Sequence, residues 1–456
     1  MKPILVECGT FDLGNVGDVA MLQVAVERLR QEFPAAEIHV FTKDEERLAR
    51  ACAGVVPLDP GGRDLWCEDA YFVGCLWRLL PRGVQRRVSE TQDWWRGRWP
   101  TAYSTTIAAR ERVRGRSGAS VESFLRLTRR CGLYLVSGQA SLADVAGDRA
   151  ARILRTALLV EELGGAVALM GQGLGPLRRR DLVRLALRVL PRAILVGLRE
   201  EIEGRRLLRS LGVDPSLIVM TGDDALELAH RERCAQLGTA LGVHVRMAPL
   251  AIREARVVWE IQRVVFDVAC REKIRLIGLP VSRHRDGTDD VATIEMLLAD
   301  EPAASITRAG TPAELVNAIG RCRVVVTGAY HNAVFALAQG VQVVCLSGSE
   351  YYERKFRGLK AQFPDGCEIV EMHGPGLGQR LESAITGSWS RAPEARARLL
   401  EAAMLQVASG RAAYARLVGC FAQSTAGQTA EPVVTDRDRT REMKIGVSPG
   451  ADERDA

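Results

Sequence analysis

The chain has 456 residues, of which 47% are hydrophobic and 5% aromatic, and its 62 basic residues only slightly outnumber its 56 acidic ones. This length exceeds the roughly 250–300 residues that a single hydrophobic core supports, so we expect two domains of about 200 residues each. The small charge excess is spread over a mixed surface and gives no support for a nucleic-acid partner.

The first predicted elements form a βαβ unit. A strand over 4–7 is followed by a glycine-rich turn, a helix over about 19–32 and a second strand over 38–42, which predicts a parallel sheet. The pattern then breaks between residues 60 and 120, where five of the seven tryptophans stand among many arginines. We interpret this segment as a helical insertion that packs over or beside a cleft as a lid. A later basic run, 178–188, is typical of a solvated helix face.

The alternation of apolar strands and helices then resumes twice. One series completes a first domain (1–230), and a second series over 238–380 predicts another doubly wound sheet. A helical segment over 390–423 and a polar, disordered tail over 424–456 follow. The predicted fold class is therefore α/β, with two Rossmann-like doubly wound parallel-sheet domains that face a cleft in a GT-B-like arrangement.

The cysteines and the N-terminus indicate the compartment. Eleven cysteines occur, with neither a C-x-x-C pair nor a metal-ligand spacing, which is typical of reduced thiols. The opening "MKPILVECG" runs straight into a predicted strand, so we expect no signal peptide, and no run of 18 apolar residues predicts a membrane span. We therefore expect a cytoplasmic protein with at most peripheral membrane contact.

Small and polar residues follow several predicted strands, which is where ligands bind in such sheets. The turn "GTFDLGNVGDVAML" offers Asn15 and Asp18, and the strand ends "VSGQASLAD" and "MGQGLGPL" offer Gln139 and Gln172. Amide and carboxylate side chains can bond sugar hydroxyls, so we assign these four residues to the acceptor side of the cleft. Two structural alternatives stay open: Asp18 as the N-cap of the first helix, and the glycines as sites of tight helix packing.

Nine segments, in this order along the chain, resemble the polysaccharide pyruvyltransferase family: "GNVGDVAML", "SGQASLAD", "GQGLGPL", "VGLREEIEGRRLLRSLGV", "TGDDALELA", "LGVHVR", "LPVSRHRDGTDD", "VVVTGAYHNAVFALAQGVQVV" and "YYERKFRGL". The resemblance covers residues 3–363 apart from the tryptophan-rich insertion. It implies a GT-B-like fold and transfer of the enolpyruvyl carbons of phosphoenolpyruvate, the co-substrate, to a sugar or glycan precursor as a ketal. No further cofactor is implied. Functional roles for Arg199 and His331 are implied as well.

The sequence departs from the family pattern at two positions. The serine expected after Arg199 is replaced by Gly204 or lost, and the arginine expected two residues before His331 is Ala329. Phosphoenolpyruvate carries a carboxylate and a phosphate, which arginine forks or helix N-termini hold, so another cation has to replace the missing arginine. Arg246 is the best-placed candidate because it follows a strand; the others are Arg283, Arg285, Arg354 and Lys355.

The donor side is expected to combine a catalytic histidine with several ligands. His331 follows a buried strand and precedes a helix that we expect to start near Asn332. An imidazole with an ordinary pKa of about 6.5 can act as a general acid or donate a hydrogen bond to phosphate. Its structural alternative is a histidine satisfied by backbone near a helix N-cap. The combination of His284 with Asp289 and Asp290 fits no strong metal motif, so we expect no metal. The expected donor-binding residues are Arg199, Arg246, Tyr330, Asn332 and Lys355.

Two other functions stay open. A GT-B glycosyltransferase with a nucleotide-sugar donor would not need the arginine absent at Ala329, although the sequence has no nucleotide-specific signature. A non-catalytic family member could instead be a binding subunit of a biosynthetic assembly, with the tryptophan-rich segment as its docking surface. The expected partners are a sugar or glycan-precursor acceptor and phosphoenolpyruvate, and a homo-oligomer is left open.

Overall fold

The structure is a computed structural model that describes residues 2–69, 71–115, 117–247, 254–282, 290–299, 301, 303–307 and 310–429. Strands and helices alternate over this range and form two parallel sheets, one of eight strands and one of six. Helices cover both faces of each sheet, so most strands are apolar along their whole length instead of alternating with polar residues. The two-domain α/β fold expected from the sequence is confirmed.

Within the described residues, the first domain contains eight strands and ten α-helices. The strands are β1 (Ile4–Glu7), β2 (Ile38–Phe41), β3 (Val56–Leu58), β4 (Leu133–Val136), β5 (Gln139–Leu142), β6 (Ala166–Leu174), β7 (Leu195–Leu198) and β8 (Ile218–Met220). The helices are α1 (Val16–Glu32), α2 (Glu45–Ala51), α3 (Gly61–Cys67), α4 (Arg82–Arg98), α5 (Pro100–Val113), α6 (Ala119–Arg130), α7 (Gly147–Glu162), α8 (Arg180–Val189), α9 (Ile202–Ser210) and α10 (Ala225–Arg231).

The described part of the second domain contains six strands, and its helices extend to the last described residue. The strands are β9 (Ala240–His244), β10 (Leu276–Gly278), β11 (Ser305–Ile306), β12 (Cys322–Thr327), β13 (Gln342–Ser347) and β14 (Cys367–Glu371). The helices are α11 (Ala255–Glu272), α12 (Val291–Leu298), α13 (Pro312–Gly320), α14 (Tyr330–Ala338), α15 (Glu350–Gln362) and α16 (Leu377–Thr429).

The strand orders fix where ligands can bind. The first sheet runs β3-β2-β1-β4-β6-β7-β8, with β5 paired to β6, and the second runs β11-β10-β9-β12-β13-β14. In both sheets the order reverses once, between β1 and β4 and between β9 and β12. Crevices for ligands form at such reversals, beyond the carboxyl ends of the strands.

Successive residues of each strand face opposite sides of its sheet. Leu5 of β1 packs with α3, α5, α6 and α7, whereas Ile4 and Val6 pack against α1 and the end of α16. In the second sheet, Val325 faces α13 and α14, and Val324 faces α11 and α12. Each such side chain, when fully buried, stabilises the fold by about 1.5–3 kcal/mol, and together these residues hold the strand ends in place.

Helix α16 joins the two domains. Its first turns pack on the second sheet through Leu381, and its later turns pack on the first sheet through Tyr414 and Leu417. The helix begins at Leu377, ahead of the expected start at residue 390, and continues through Pro393. The tail expected over 424–456 is helical as far as Thr429, and the remainder falls outside the described residues.

The insertion over residues 60–120 is helical, as expected, but it packs into the first domain. Trp66 is buried with its ring 6.0 Å from that of Tyr103 and 6.0 Å from that of Phe124. Arg63, fully buried, donates a hydrogen bond to Glu7 of β1 at 2.7 Å. Within the described residues the insertion adds no side chain to the interdomain cavity, so the expected lid over the cleft is not found.

Candidate functional site

A cavity of about 240 Å³ lies between the two domains. It is bounded by residues that follow β1, β4, β9 and β12, the four strands at which the sheet orders reverse. Eight of the ten residues assigned to the site from the sequence line this cavity: Asn15, Asp18, Gln139, Arg199, Arg246, Tyr330, His331 and Lys355. The structure therefore brings the two proposed sides of the site together, and the chemical roles of these residues stay predictions.

Helix α14 points its N-terminus at the cavity. The helix begins at Tyr330, two residues earlier than the sequence suggested, with Ala329 at the N-cap. Because alanine has no side-chain acceptor, the N–H groups of the first turn stay available to a ligand. These N–H groups and the partial positive charge of the helix N-terminus favour an anion in the cavity.

His331 is half-buried where the two domains meet. Its ring lies against the backbone of Gly17 in α1, so closely that a Cβ atom at Gly17 would stand 2.0 Å from Cγ of the imidazole. Its buried Nε2 has no hydrogen-bond partner in the part of the chain that the structure describes. Burial lowers the pKa of His331, while the carboxylates of Asp223 and Asp18 act in the opposite direction.

Arg199 is the deeply buried cation of the site. It follows β7, and one of its Nη atoms donates to Oδ2 of Asp223 at 3.1 Å. Its guanidinium stands 4.4 Å from the centre of the Tyr330 ring and lies over the backbone of Gly173, which leaves no space there for a side chain. Asp223 and Tyr330 thus fix the direction of this arginine, and the sequence had not singled out Asp223 as its partner.

Lys355 is a cation surrounded by tyrosine rings. Its ammonium lies 4.2 Å from the ring centre of Tyr351 and 5.8 Å from those of Tyr330 and Tyr352. Burial, with a further contribution from Arg199, lowers the pKa of Lys355 to about 7. Burial also raises the pKa of Tyr351 to about 12. The three tyrosines therefore stay neutral near pH 7, whereas Lys355 gains or loses its proton there.

His244 and Asp290, which the sequence analysis did not pair, also line the cavity. Nε2 of His244 lies 3.0 Å from Oδ2 of Asp290, and both side chains are buried. The same carboxylate oxygen accepts hydrogen bonds from the backbone N–H groups of Val281 and Ser282. Burial opposes ionisation of Asp290, but His244 and Arg246 outweigh it and lower the pKa of this carboxyl. Asp290 thereby holds His244 and Arg246 at the cavity.

The N-cap alternative for Asp18 is wrong, because Asn15 caps α1. Oδ1 of Asn15 accepts from the N–H groups of Gly17 at 2.9 Å and Asp18 at 3.2 Å. Nδ2 of Asn15 donates to Oγ of Ser282 in the second domain at 3.4 Å. Both atoms of this amide therefore already take part in hydrogen bonds within the protein. The carboxylate of Asp18 is left facing the cavity, against the backbone of Gly9.

The two glutamines assigned to the acceptor side differ. Both amide atoms of Gln139 are buried at the cavity and have no hydrogen-bond partner among the described residues. Gln172 lies inside β6, and its amide nitrogen donates to the carbonyls of Val136, Ser137 and Met170. Gln172 is not among the cavity-lining residues, and its amide instead bonds to the backbone of the sheet. Its assignment to the acceptor side of the site is therefore wrong.

Asn332 also lies away from the cavity. Since α14 begins at Tyr330, Asn332 falls on the face of the first turn that packs into the core, where it is fully buried. Its Nδ2 donates to the carbonyl of Leu279 at 2.9 Å. This side chain therefore fastens α14 to the loop after β10 and is not in place to bind the donor.

The candidates for replacing the arginine absent at Ala329 differ in whether they line the cavity. Arg246 and Lys355 line the cavity, and Arg354 lines a smaller adjoining pocket, where it pairs with Glu350. The other candidates, Arg283 and Arg285, lie outside the described residues, as do His284 and Asp289, for which we expected no metal. Where the structure describes the chain, His, Cys, Asp and Glu form no group of three or more that could hold a metal ion.

A family model described as polysaccharide pyruvyl transferase matches residues 15–350, a span that includes all ten assigned site residues except Lys355. The chain belongs to this family. The match confirms the resemblance that the ordered sequence segments indicated. No curated protein sequence matches the chain.

Solved structures share the fold at low sequence identity. A UDP-GlcNAc 2-epimerase from Neisseria meningitidis bound to UDP-GlcNAc aligns with a TM-score of 0.51 and 11% identity, over 93% of this chain and 100% of its own. MnaA from S. aureus, in a co-structure with UDP, gives 0.53 and 12%, over 95% and 99%. UGT89C1 from Arabidopsis thaliana, complexed with quercetin, gives 0.53 and 9%, over 92% and 100%. These likenesses support the GT-B-like arrangement.

Proposed function

We propose that this transferase-family protein moves the pyruvyl group of phosphoenolpyruvate onto a sugar or glycan precursor as a ketal. The observation that carries the proposal is the convergence of Arg199, Arg246, Lys355 and His331 on one cavity of about 240 Å³. Three cations suit a small donor that carries both a carboxylate and a phosphate. The uncapped N-terminus of α14 adds donors for the same anion, which supports the view that the arginine missing at Ala329 is replaced.

The reaction needs a proton donor and a cationic environment. One acceptor hydroxyl adds to the enol carbon, a proton goes to the methylene carbon to make a methyl group, and a second hydroxyl displaces phosphate. Of the two hydroxyl protons, one balances the methyl group and the other leaves on phosphate. His331 is proposed as the general acid or as the hydrogen-bond donor to phosphate, and the neighbouring cations stabilise the charge that develops on the leaving group.

The acceptor is proposed to bind on the side of the first domain. Asp18 faces the cavity and can take up a hydroxyl proton, and Gln139 offers a buried amide without a partner in the described chain. Electrostatic coupling between Asp18 and both His331 and Lys355 indicates that acceptor and donor groups share one volume. A transfer between two bound molecules requires this proximity.

The test is phosphate release. The protein is incubated with phosphoenolpyruvate and a panel of sugars and glycan precursors, and inorganic phosphate is measured together with binding of the donor alone by calorimetry. We expect acceptor-dependent release and donor binding without an acceptor. Absence of both would overturn the proposal and favour the non-catalytic alternative.

A nucleotide-sugar donor is the second candidate, because two of the structural neighbours bind UDP or UDP-GlcNAc. The cavity volume argues against it, since about 240 Å³ lies below the roughly 300–1,000 Å³ typical of larger ligands. Thermal unfolding separates the two, because a ligand of the native state raises stability by RT ln(1 + [L]/Kd). A shift with UDP and none with phosphoenolpyruvate would favour the nucleotide-sugar donor.

A further inference from the structure

One surface of the first domain combines exposed apolar side chains with an excess of arginine. It is formed by a short 3-10 helix over Gly74–Leu79, by α4 and by α8, and we name it the α4–α8 face. Its large apolar residues, each at least 42% exposed, are Leu76, Leu79, Val84, Trp94, Trp99 and Leu187. Six such residues on one short helix, on α4 with its C-cap and on α8 exceed the scattered apolar exposure that soluble surfaces ordinarily carry.

The arginines of this face outnumber its acids. The acidic residues of these helices are all paired: Glu90 with Arg86 and Arg184, Asp93 with Arg96 and Arg155, and Asp181 with Arg179. Five further arginines have no ion-pair partner within the described residues: Arg82, Arg87, Arg98, Arg180 and Arg188. The surface therefore presents uncompensated positive charge, although the whole chain has a formal net charge of only +6.

The helices of the face are joined side by side. The Arg184–Glu90 pair links α8 to α4, and a Cβ atom at Gly97 of α4 would lie 3.8 Å from the guanidinium of Arg188. Between them lies a groove with a volume of about 1010 Å³, which is lined by Trp77, by several guanidinium groups and by the acidic side chains of Asp64, Glu68, Asp69, Asp148 and Asp181. The groove thus mixes basic and acidic side chains.

The exposed side of α4 carries a regularly spaced stripe of residues. Val84, Arg87, Thr91, Trp94 and Arg98 recur at intervals of three and four residues, so they form one stripe along the helix. The stripe contains no acidic residue. At its end the rings of Trp94 and Trp99 meet edge to face with centres 5.2 Å apart, and the guanidinium of Arg98 lies 5.6 Å from the centre of the Trp99 ring.

We propose that the α4–α8 face docks on an anionic lipid surface. Tryptophan and leucine insert at the boundary between headgroups and acyl chains, while arginine binds the phosphates of anionic lipids. Nucleic acid fits less well, because its phosphates would leave Leu76, Leu79 and Leu187 without an apolar partner. The contact is peripheral, since no described helix has both the length and the apolar character needed to cross a membrane.

The face borders the acceptor side of the interdomain cavity. The guanidinium of Arg179 packs on Gly147, where a Cβ atom would stand 1.9 Å from it, and Ala146 next to this glycine lines the cavity. The backbone N–H groups of Arg178 and Arg179 both donate to Asp144, which fixes the start of α8 to the same loop. Docking would place the acceptor side near the lipid surface; this consequence rests on the proposed function, whereas docking itself does not.

The test uses vesicle flotation with the full chain. Vesicles of phosphatidylcholine alone are compared with vesicles that contain phosphatidylglycerol, at low and high salt. We expect binding only to the anionic vesicles and a loss of binding in high salt. The triple variant Arg87→Glu, Trp94→Ala, Arg98→Glu should lower the partition coefficient roughly tenfold or more.

A second helix of the same chain provides the matched control. Arg256, Trp259 and Arg263 lie on the exposed side of α11 in the second domain. The control variant Arg256→Glu, Trp259→Ala, Arg263→Glu makes the same change of charge and composition there and should bind vesicles as the unmodified chain does. An equal loss in both variants, or wild-type binding in the α4 variant, would overturn the proposal.

Quenching of tryptophan fluorescence gives an independent readout. Anionic vesicles that carry brominated acyl chains should quench the unmodified protein, and the double variant Trp94→Phe, Trp99→Phe should lose most of this quenching while still floating with the vesicles. Quenching that persists unchanged would show that another surface meets the lipid and would overturn the assignment. Phosphate release with a soluble acceptor should be unaffected by all these variants, which keeps this test separate from that of the proposed function.

Discussion

His331 of the second domain rests directly on Gly17 of the first. A Cβ atom at Gly17 would stand 2.0 Å from Cγ and 2.1 Å from Nδ1 of the imidazole, and atoms in real proteins do not approach this closely. Gly17 is the second residue of α1 and His331 the second residue of α14, so the N-termini of two helices from different domains meet at the cavity. The place of the candidate catalytic ring is therefore set from both domains.

The contact predicts a strong effect of a single methyl group. Gly17→Ala should displace the imidazole and lower turnover about 10²-fold, because a misplacement of about 1 Å in a catalytic geometry costs on this order. Steady-state phosphate release measures the effect. Gly419→Ala is the control, since a Cβ atom there meets nothing within 4 Å. It should leave turnover unchanged and, in the interior of a helix, stabilise the protein by up to about 1 kcal/mol. Wild-type turnover in Gly17→Ala would show that the ring does not depend on this contact.

Removing the imidazole itself is the direct test of its role. His331→Asn should lower turnover by about 10²–10⁴-fold, which corresponds to roughly 3–5 kcal/mol of transition-state stabilisation. The side chain is half-buried and its Nε2 has no partner in the described part of the chain, so the melting temperature should change little. Unchanged turnover in this variant would make the histidine structural and the catalytic assignment wrong.

The sequence located the strand ends correctly because their pattern is local. A buried strand followed by small residues and a helix predicts the position of Gln139 and of His331 from their neighbours in the chain alone. The same reasoning failed for Asn332, because the start of α14 lies two residues earlier and that shift turns the side chain into the core. It failed for Gln172 because β6 continues to Leu174 and uses this amide within the sheet.

The two pairs of contacting side chains in the site could not be predicted from the local sequence pattern. His244 and Asp290 are brought together only when β9 and the loop after β10 meet in the folded sheet, and Arg199 meets Asp223 through the neighbouring strands β7 and β8. The sequence contains the aspartate doublets 223–224 and 289–290, but it does not indicate which side chain each aspartate contacts. Long-range pairing depends on the tertiary fold, which propensity and periodicity do not contain.

The role of Asp18 can now be separated from helix capping. Asp18→Asn should cut turnover strongly while donor affinity and melting temperature stay nearly constant, because the carboxylate faces the cavity and α1 is capped by Asn15. Asn15→Ala should instead lower stability by about 1 kcal/mol through loss of the cap. Turnover, donor affinity by calorimetry and thermal unfolding are measured on both variants. Full activity of Asp18→Asn would remove this residue from the site.

The last prediction concerns pH, through Lys355. Burial lowers the pKa of this ammonium to about 7, so in the free protein it is charged below pH 7 and increasingly neutral above it. If Lys355 holds an anionic donor, affinity for phosphoenolpyruvate should fall as pH rises above about 7, approaching tenfold per pH unit, and binding should take up one proton. His331 does not titrate in this range because burial lowers its pKa from an ordinary value of 6.5.

Calorimetry at constant ionic strength from pH 6.5 to 8.5, in buffers of different ionisation enthalpy, measures both the affinity and the proton uptake. Lys355→Met should bind the donor more weakly at pH 6.5 and show a flat profile above it, because the titrating cation is gone while Arg199 and Arg246 remain charged throughout. Lys360, partly exposed at the other end of the same helix, is the control, and Lys360→Met should keep the profile of the unmodified protein. An affinity that does not change with pH in the unmodified protein would contradict the prediction. If Lys355→Met also binds the donor as tightly as the unmodified protein, Lys355 does not hold the donor, and the cation that replaces the arginine absent at Ala329 would then be Arg246.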